Sequence, residues 1–310
     1  RRGRPEAAIE AYKQAIRLGD RRLSVFEQLI AALYRSQRIV ESQEYLAQME
    51  EQIPASPVLS GLDISVSATA GQWDRALAAA RRNVQARPDD PMAHVWLGQM
   101  LLASADRDEA ELAFRHAVEL APGDIRTHNA LVSFYARTGQ VDRAREALHN
   151  LVAKVKLADD ARAAALAQGY ELLGDFEQAR AAYREALRLS PDNAALQLRM
   201  ALLLMNSGRS EEAEEALRRT LQLDPNAASA RRALAALLAA RGGESQWREA
   251  QQLLSHPSAD VDIAKLDERL QAMLLVRRGG LENRAKAKQL LEKLVADPKT
   301  AAPGDRLALA

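Results

Sequence analysis

A small residue returns through this chain at a spacing that a single compact core would not need. Ala8, Ser42, Ala76, Ala110, Ala144, Ala179, Ala213, Ala250 and Ala285 follow one another at intervals of about 34 residues, each inside a stretch with helical apolar spacing. A small side chain between two packed helices sets how closely they approach, and a larger one would push them apart. The recurring unit is therefore a pair of short helices. A helix this short is marginal alone in water, so each unit has to bury its apolar face on its neighbours.

The unit is most legible from Asp160 to Asn193. Leu166, Tyr170 and Leu173 carry the first helical pattern, Leu-Gly-Asp breaks it, and Phe176, Ala179, Tyr183, Ala186 and Leu187 carry the second before Pro191. Applied along the chain, this register places a second-helix half-repeat at 1–22. Repeats follow at about 23–56, 57–90, 91–124, 125–159, 160–193, 194–227, 228–261 and 262–299, with the truncated start of another at 300–310. Both ends then lack a polar capping unit, which reads as a piece of a longer protein without its native N-terminus.

Three places depart from the pattern. The first helix of repeat 57–90 is a poor one, with Gly61 and many β-branched or hydroxyl residues. In repeat 125–159 the closing proline is replaced by Lys154-Val155-Lys156. The junction at 242–262 is irregular: Gly243-Glu244-Ser245 lengthens the turn before Trp247, and Pro257 should stop the helix near Ser255, leaving a loop from His256 to Val261. Coupling between the last repeat and the rest should be lower there. In the last repeat Leu270, Met273, Gly280, Ala285 and Leu291 take the repeat's places, and near the end Pro303-Gly304-Asp305 leads into the first turn of another helix, Arg306–Ala310.

These residues resemble the tetratricopeptide repeat (TPR) family over nearly the whole chain. The resemblance implies an all-α, right-handed superhelical solenoid of helix-turn-helix repeats, the first helices lining a concave groove. It implies a scaffold that binds peptides or protein segments. The turn glycine of the family is replaced by Gln37 and Ala105.

Composition excludes several alternatives. With 43 basic and 42 acidic residues interleaved, no electrostatic case for nucleic acid arises. There is no cysteine, which excludes disulfides and thiolate chemistry. No apolar run approaches the ~20 residues that span a bilayer, so direct membrane insertion is not expected. Arginine outnumbers lysine roughly four to one, the mark of a GC-rich bacterial genome, but neither cytoplasm nor periplasm is singled out.

No enzyme is read here, and no cofactor or metal site. His94 and His128 occupy the same place on successive first helices and would be near neighbours, with His116 and His149 on second helices and His256 in the loop, but no metal-ligand spacing occurs. Glu211, Glu212, Glu214 and Glu215, with Arg218 and Arg219, read as a solvated charged face. Asp159 and Asp160 read as N-caps.

The first-helix face opposite the second helices is more informative. It should present Tyr34, then Met92, Trp96 and Gln99, then Arg126, Asn129, Ser133 and Arg137. Asn129 and Gln99 can bond a peptide backbone, Arg126 and Arg137 can hold acidic groups, and Trp96 is a hot-spot candidate. The alternative for Trp96 is packing at a helix seam, as expected of Trp73 and Trp247 at their turns. The Lys/Asn set that clamps a C-terminal carboxylate in some relatives is missing, its places holding Glu27 and Ala31, Gly61 and Ser65, Val95 and Gln99, or Asn129 and Ser133. The expected function is a non-catalytic scaffold for a protein or peptide. The alternative is the TPR arm of a larger enzyme or secretion machine, such as a glycosyltransferase or an exopolysaccharide export assembly.

Overall fold

Short amphipathic stretches separated by turn residues become helices one for one. The computed structural model describes residues 5–50, 57–255 and 261–296, and every regular element among them is an α-helix. They fall into two compact units divided between Lys156 and Leu157, where the closing proline is replaced by Lys154-Val155-Lys156. The first unit holds α1 (Pro5–Arg17), α2 (Leu23–Arg35), α3 (Ile39–Glu50), α4 (Pro57–Thr69), α5 (Trp73–Ala86), α6 (Pro91–Ala103), α7 (Arg107–Leu120), α8 (Ile125–Arg137) and α9 (Val141–Lys154). The second holds α10 (Asp159–Leu172), α11 (Phe176–Leu189), α12 (Ala194–Asn206), α13 (Ser210–Leu223), α14 (Ala228–Arg241), α15 (Glu244–Leu254), α16 (Val261–Arg278) and α17 (Leu281–Ala296). Each unit is a stack of antiparallel helix pairs.

The small residues do what their spacing implies. Ser42, Ala76, Ala110, Ala144, Ala179, Ala213 and Ala250 are all 0% exposed. The two ends differ. Ala8 is exposed because no first helix stands opposite α1 among the described residues, and Ile9 is buried there instead. In the last pair the buried residue is Ala287, while Ala285 is exposed. The last pair is displaced by 37 residues from the one before it, as Ala250 and Ala287 show, so a step of about 35 residues, from Ala250 to Ala285, misplaces the register. Met273 is misplaced for the same reason: it is 64% exposed, and Ala272, Leu274 and Leu275 form the core of α16.

Turn geometry explains the glycine places and their exceptions. Gly139 has φ +76°, and the same left-handed conformation is adopted by Gln37 at +58° and Ala105 at +64°. The turn bonds match: Gly139 and Ala105 donate to Ala136 and Leu102, and the next residues, Gln140 and Asp106, donate to Tyr135 and Leu101. Helix starts use Asp90, Asp106, Asp124, Asp175 and Asn193 as side-chain caps. Asp159 and Asp160 are not caps. They lie in the first turn of α10, after Ala158, where a carboxylate still meets the positive end of the helix, and Asp160 accepts a bond from Ser190 at 2.7 Å.

The turn at Gly242-Gly243 is shorter than expected, since α15 already begins at Glu244. Both glycines have positive φ, and this conformation allows the helices to be joined by two residues. The helix ends at Leu254 with Ser255 as its C-cap. Of the expected loop, only Val261 is described, and it opens α16. Pro54, His256, Pro257 and the Pro303–Ala310 stretch lie outside the described residues.

Second helices of neighbouring repeats are tied by ion pairs: Lys13–Glu41 (2.5 Å), Arg81–Glu109 (3.2 Å) and Arg143–Glu111 (2.9 Å) in the first unit, Arg184–Glu212 (3.3 Å) and Arg218–Glu249 (2.6 Å) in the second. Lys13 is buried; the other pairs are exposed or half-exposed and contribute about 1 kcal/mol or less each, so they select register more than they stabilise. A different pair joins first helices near the chain's irregular junction. Asp267 of α16, 3% exposed, accepts from Arg231 (2.9 Å) and Arg232 (3.1 Å) of α14.

Two outcomes follow from this geometry. Ala105→Gly should stabilise the protein by about 1 kcal/mol, because glycine removes the steric cost of the left-handed turn; urea unfolding reads this directly. Asp267→Asn should cost about 2–4 kcal/mol by leaving two guanidinium groups without their buried carboxylate, with hydrogen exchange rising first in α16 and α17.

Candidate functional site

The first helices expose one face away from their paired second helices, and its register can be read from burial. Gly98 and Val132 are buried at equivalent places on α6 and α8, and the residue after each, Gln99 and Ser133, reaches the surface. Gln99, Arg126, Asn129 and Arg137 are exposed, while Met92, Trp96 and Ser133 are partly covered. α6 packs against α8, which brings these seven onto neighbouring helices. Tyr34 belongs to α2, where its hydroxyl meets Thr69 of α4 at 3.2 Å.

Trp96 has a specific seat. Its ring lies against Gly61 of α4, so closely that a Cβ at residue 61 would come within 2.7 Å of the indole. The same ring packs on the cluster of Ile64, Ala76, Ala79, Ala80 and Met100. The glycine that weakens α4 as a helix thus makes room for the indole. The rest of α4 is supported locally: Ser65 and Thr69 donate to the carbonyls of Gly61 and Ser65, both at 2.8 Å. Buried Asp63 receives Ser67 (2.9 Å) and Arg75 (3.1 Å). Trp247 packs as expected, 8% exposed with the Arg278 guanidinium over its ring. Trp73 does not: as the first residue of α5 it precedes the buried stripe that starts at Ala76 and is 46% exposed.

The charges on this face are partly engaged. Arg126 grips Asp124, the cap of its own helix, at 3.1 and 2.6 Å, and that bond holds the Asp124 carboxyl below its ordinary range. An acid from outside would have to compete with it. Arg137, in the last turn of α8, is exposed.

Two of the histidines are structural. His94 and His128 are buried, and each ring nitrogen Nε2 meets the carbonyl of a preceding proline, Pro88 at 2.7 Å and Pro122 at 3.0 Å. They repeat one local device without touching. The ring against His94 is His116, 4.6 Å away edge-on. No group of three or more potential metal ligands occurs among the described residues. On the opposite side, α7, α8 and α9 enclose a cleft of about 380 Å³ lined by Glu111, His128, Tyr135 and Arg143. Its polar groups satisfy one another: Tyr135 donates to Glu111 at 3.0 Å, as does Arg143. Burial and then that bond push the Tyr135 hydroxyl up to about 12. The acidic run of α13 is likewise paired: Glu212 with Arg209, and Glu214 with Arg218 and Arg241. No helix among the described residues is long and apolar enough to cross a membrane.

Reading the sequence alone missed the role of Gly61 and the two buried carboxylates, Asp63 and Asp267. An acid within an otherwise apolar or hydroxyl-rich first-helix face was the available signal. For the indole seat the expected outcome is specific. Gly61→Ala should destabilise by about 1 kcal/mol, overpacking outweighing the gain in helix propensity. Adding Trp96→Leu should recover most of that loss in urea unfolding, as contacting residues couple.

Residues 4–223 match the tetratricopeptide repeat family model. Cellulose synthase operon protein C of Pseudomonas fluorescens (strain SBW25) is 26% identical over 192 residues, which take in 56% of this chain and 15% of that protein. Among solved structures, a human IFIT1 dimer with PPP-AAAA superposes with a TM-score of 0.51 at 16% identity, covering 99% of this chain and 76% of that one. Pseudomonas aeruginosa pilF gives a TM-score of 0.44 at 20% identity, covering 68% and 93%. The IFIT1 likeness speaks for the fold alone. With most of the chain matched by the family model and helix pairs stacked at its period, the protein belongs to the tetratricopeptide repeat family.

Proposed function

We propose that this chain is a non-catalytic scaffold that binds a peptide or protein segment along the first-helix face of α6 and α8. In the family's superhelix this face would line the concave groove. The observation that carries the reading is a set of amide and hydroxyl groups, Gln99 and Asn129 exposed and Ser133 partly covered, on two helices that contain no acidic residue. Such groups bond the backbone of an extended segment without demanding a particular side chain. Arg137, and Arg126 after exchange from Asp124, supply charge for an acidic residue of the partner. Met92 and the accessible part of Trp96 supply apolar contact, and Tyr34 extends the same face on α2.

A second reading makes the chain the TPR arm of a larger machine that makes or exports an exopolysaccharide. The match to cellulose synthase operon protein C favours it, and the scaffold role is common to both readings. Affinity capture from the native host, followed by a peptide array of the captured partner, tests them together. Asn129→Ala with Gln99→Ala should weaken the captured interaction at least tenfold, about 1.4 kcal/mol or more. Unchanged binding by that double variant and by Trp96→Ala removes the site assignment. Recovery of polysaccharide-synthesising subunits supports the second reading.

A further inference from the structure

Four of the loops that join one repeat to the next share a design. Pro88, Pro122, Pro191 and Pro225 fix the backbone just after the second helix. A turn bond then closes each loop: Asp90 donates its N–H to Arg87 (3.2 Å), Asp124 to Ala121 (3.1 Å), Asn193 to Ser190 (3.2 Å) and Ala227 to Asp224 (3.1 Å). The segment Val155-Lys156-Leu157-Ala158 is built otherwise. It has no proline. Its ends are extended, with φ −84° and ψ 127° at Val155 and φ −60° and ψ 154° at Ala158. Val155 donates back into α9 at Leu151 (2.9 Å), and the Ala158 carbonyl accepts from Arg162 of α10 (2.8 Å). Between them, Lys156 and Leu157 have no backbone hydrogen bond among the described residues.

Lys156 and Ala158 are exposed, Leu157 is partly covered, and Val155 alone is buried, at 6%. Nicking concentrates where exposed backbone lacks hydrogen bonds, because a protease draws its substrate into an extended strand. Lys156 is also the only lysine outside a helix among the described residues. The segment joins two compact units, Arg1–Lys156 and Leu157–Ala310, and each has a core of its own. In the first, Phe26, Leu29 and Leu33 cluster with Leu46 and Met49. In the second, a cluster from Ala163 to Ala287 draws every member from that unit. Severing the chain at Lys156 therefore cuts through neither cluster.

We propose that residues 155–158 are a processing linker, at which a lysine-directed protease separates the chain into two units that each stay folded. Water adds across the Lys156–Leu157 amide: the C–N bond breaks, Lys156 keeps a carboxylate and Leu157 gains an α-amino group. This does not depend on the scaffold reading, and the face of α6 and α8 stays with the first unit. The test treats the full chain with lysyl endopeptidase under native conditions and follows the products by intact mass. Between residues 5 and 296 the first bond cut should be Lys156–Leu157, ahead of every lysine within a helix. Both fragments should keep helical circular dichroism and unfold cooperatively in urea. Lys156→Gln, at an exposed position, should slow the separation about tenfold or more with circular dichroism unchanged. Val155→Ser should speed it about threefold or more, since cleavage tracks the population of the opened segment and Val155 is its buried anchor. The proposal is overturned if a helical lysine is cut first, if Lys156→Gln does not slow the separation, or if Val155→Ser does not speed it. Loss of helical signal from either fragment after the cut also overturns it.

Discussion

Everything in this molecule depends on how closely the second helix of a repeat can approach the first. A fully buried alanine or serine at one place per pair permits that approach, and the larger apolar side chains around it then interdigitate. Phe114 shows the tolerance involved: its ring lies where a Cβ on Gly98 would come within 2.9 Å. Close packing of this kind is sensitive to single methyl groups. It also explains why α-helical propensity matters so little here. α4 is rich in β-branched and hydroxyl residues yet forms a regular helix, because its neighbours cover it and Gly61 accommodates Trp96.

Polar interactions act as register devices around that packing. Ion pairs between second helices repeat along each unit, and apart from the pair at buried Lys13 they sit at exposed or half-exposed sites, where they add little free energy but penalise a slipped stack. The buried pairings, Asp63 with Arg75 and Asp267 with Arg231 and Arg232, are of a different kind, since a lost partner there leaves a charge away from water. The last helix pair depends on one of them. It follows α15, which at 11 residues is shorter than the other second helices, so its attachment to α14 relies more on charge.

Much of the fold was legible in the residues. Turns and the seven fully buried small residues follow from local spacing, whereas the caps expected at Asp159 and Asp160 fall inside the first turn of α10. The failures have a common cause. Ala285 and Met273 were placed in the core because a step of about 35 residues was carried into a pair displaced by 37 residues, and no local signal distinguishes Met273 from Leu274 as an apolar residue on a helix. Trp73 was placed at a packed turn because an aromatic there resembles Trp247, yet it stands three residues ahead of Ala76, where its helix's covered stripe begins. On the candidate face, Gln99 and Asn129 were readable as outward-facing because each neighbours a core residue. The seat of Trp96 was not, since its partner Gly61 lies 35 residues earlier and looked only like a weakness.

By itself, then, the sequence determined that this chain forms paired short helices, because the period, the small residues and the turn signals are local requirements that each unit must satisfy. Tertiary structure decided which residues of those helices reach solvent. Exposure depends on the neighbouring repeat as much as on the helix itself. That is why Arg126 is occupied by Asp124, why Trp96 is half-covered by α4, and why Met273, which periodicity assigned to the core, stands out on the surface.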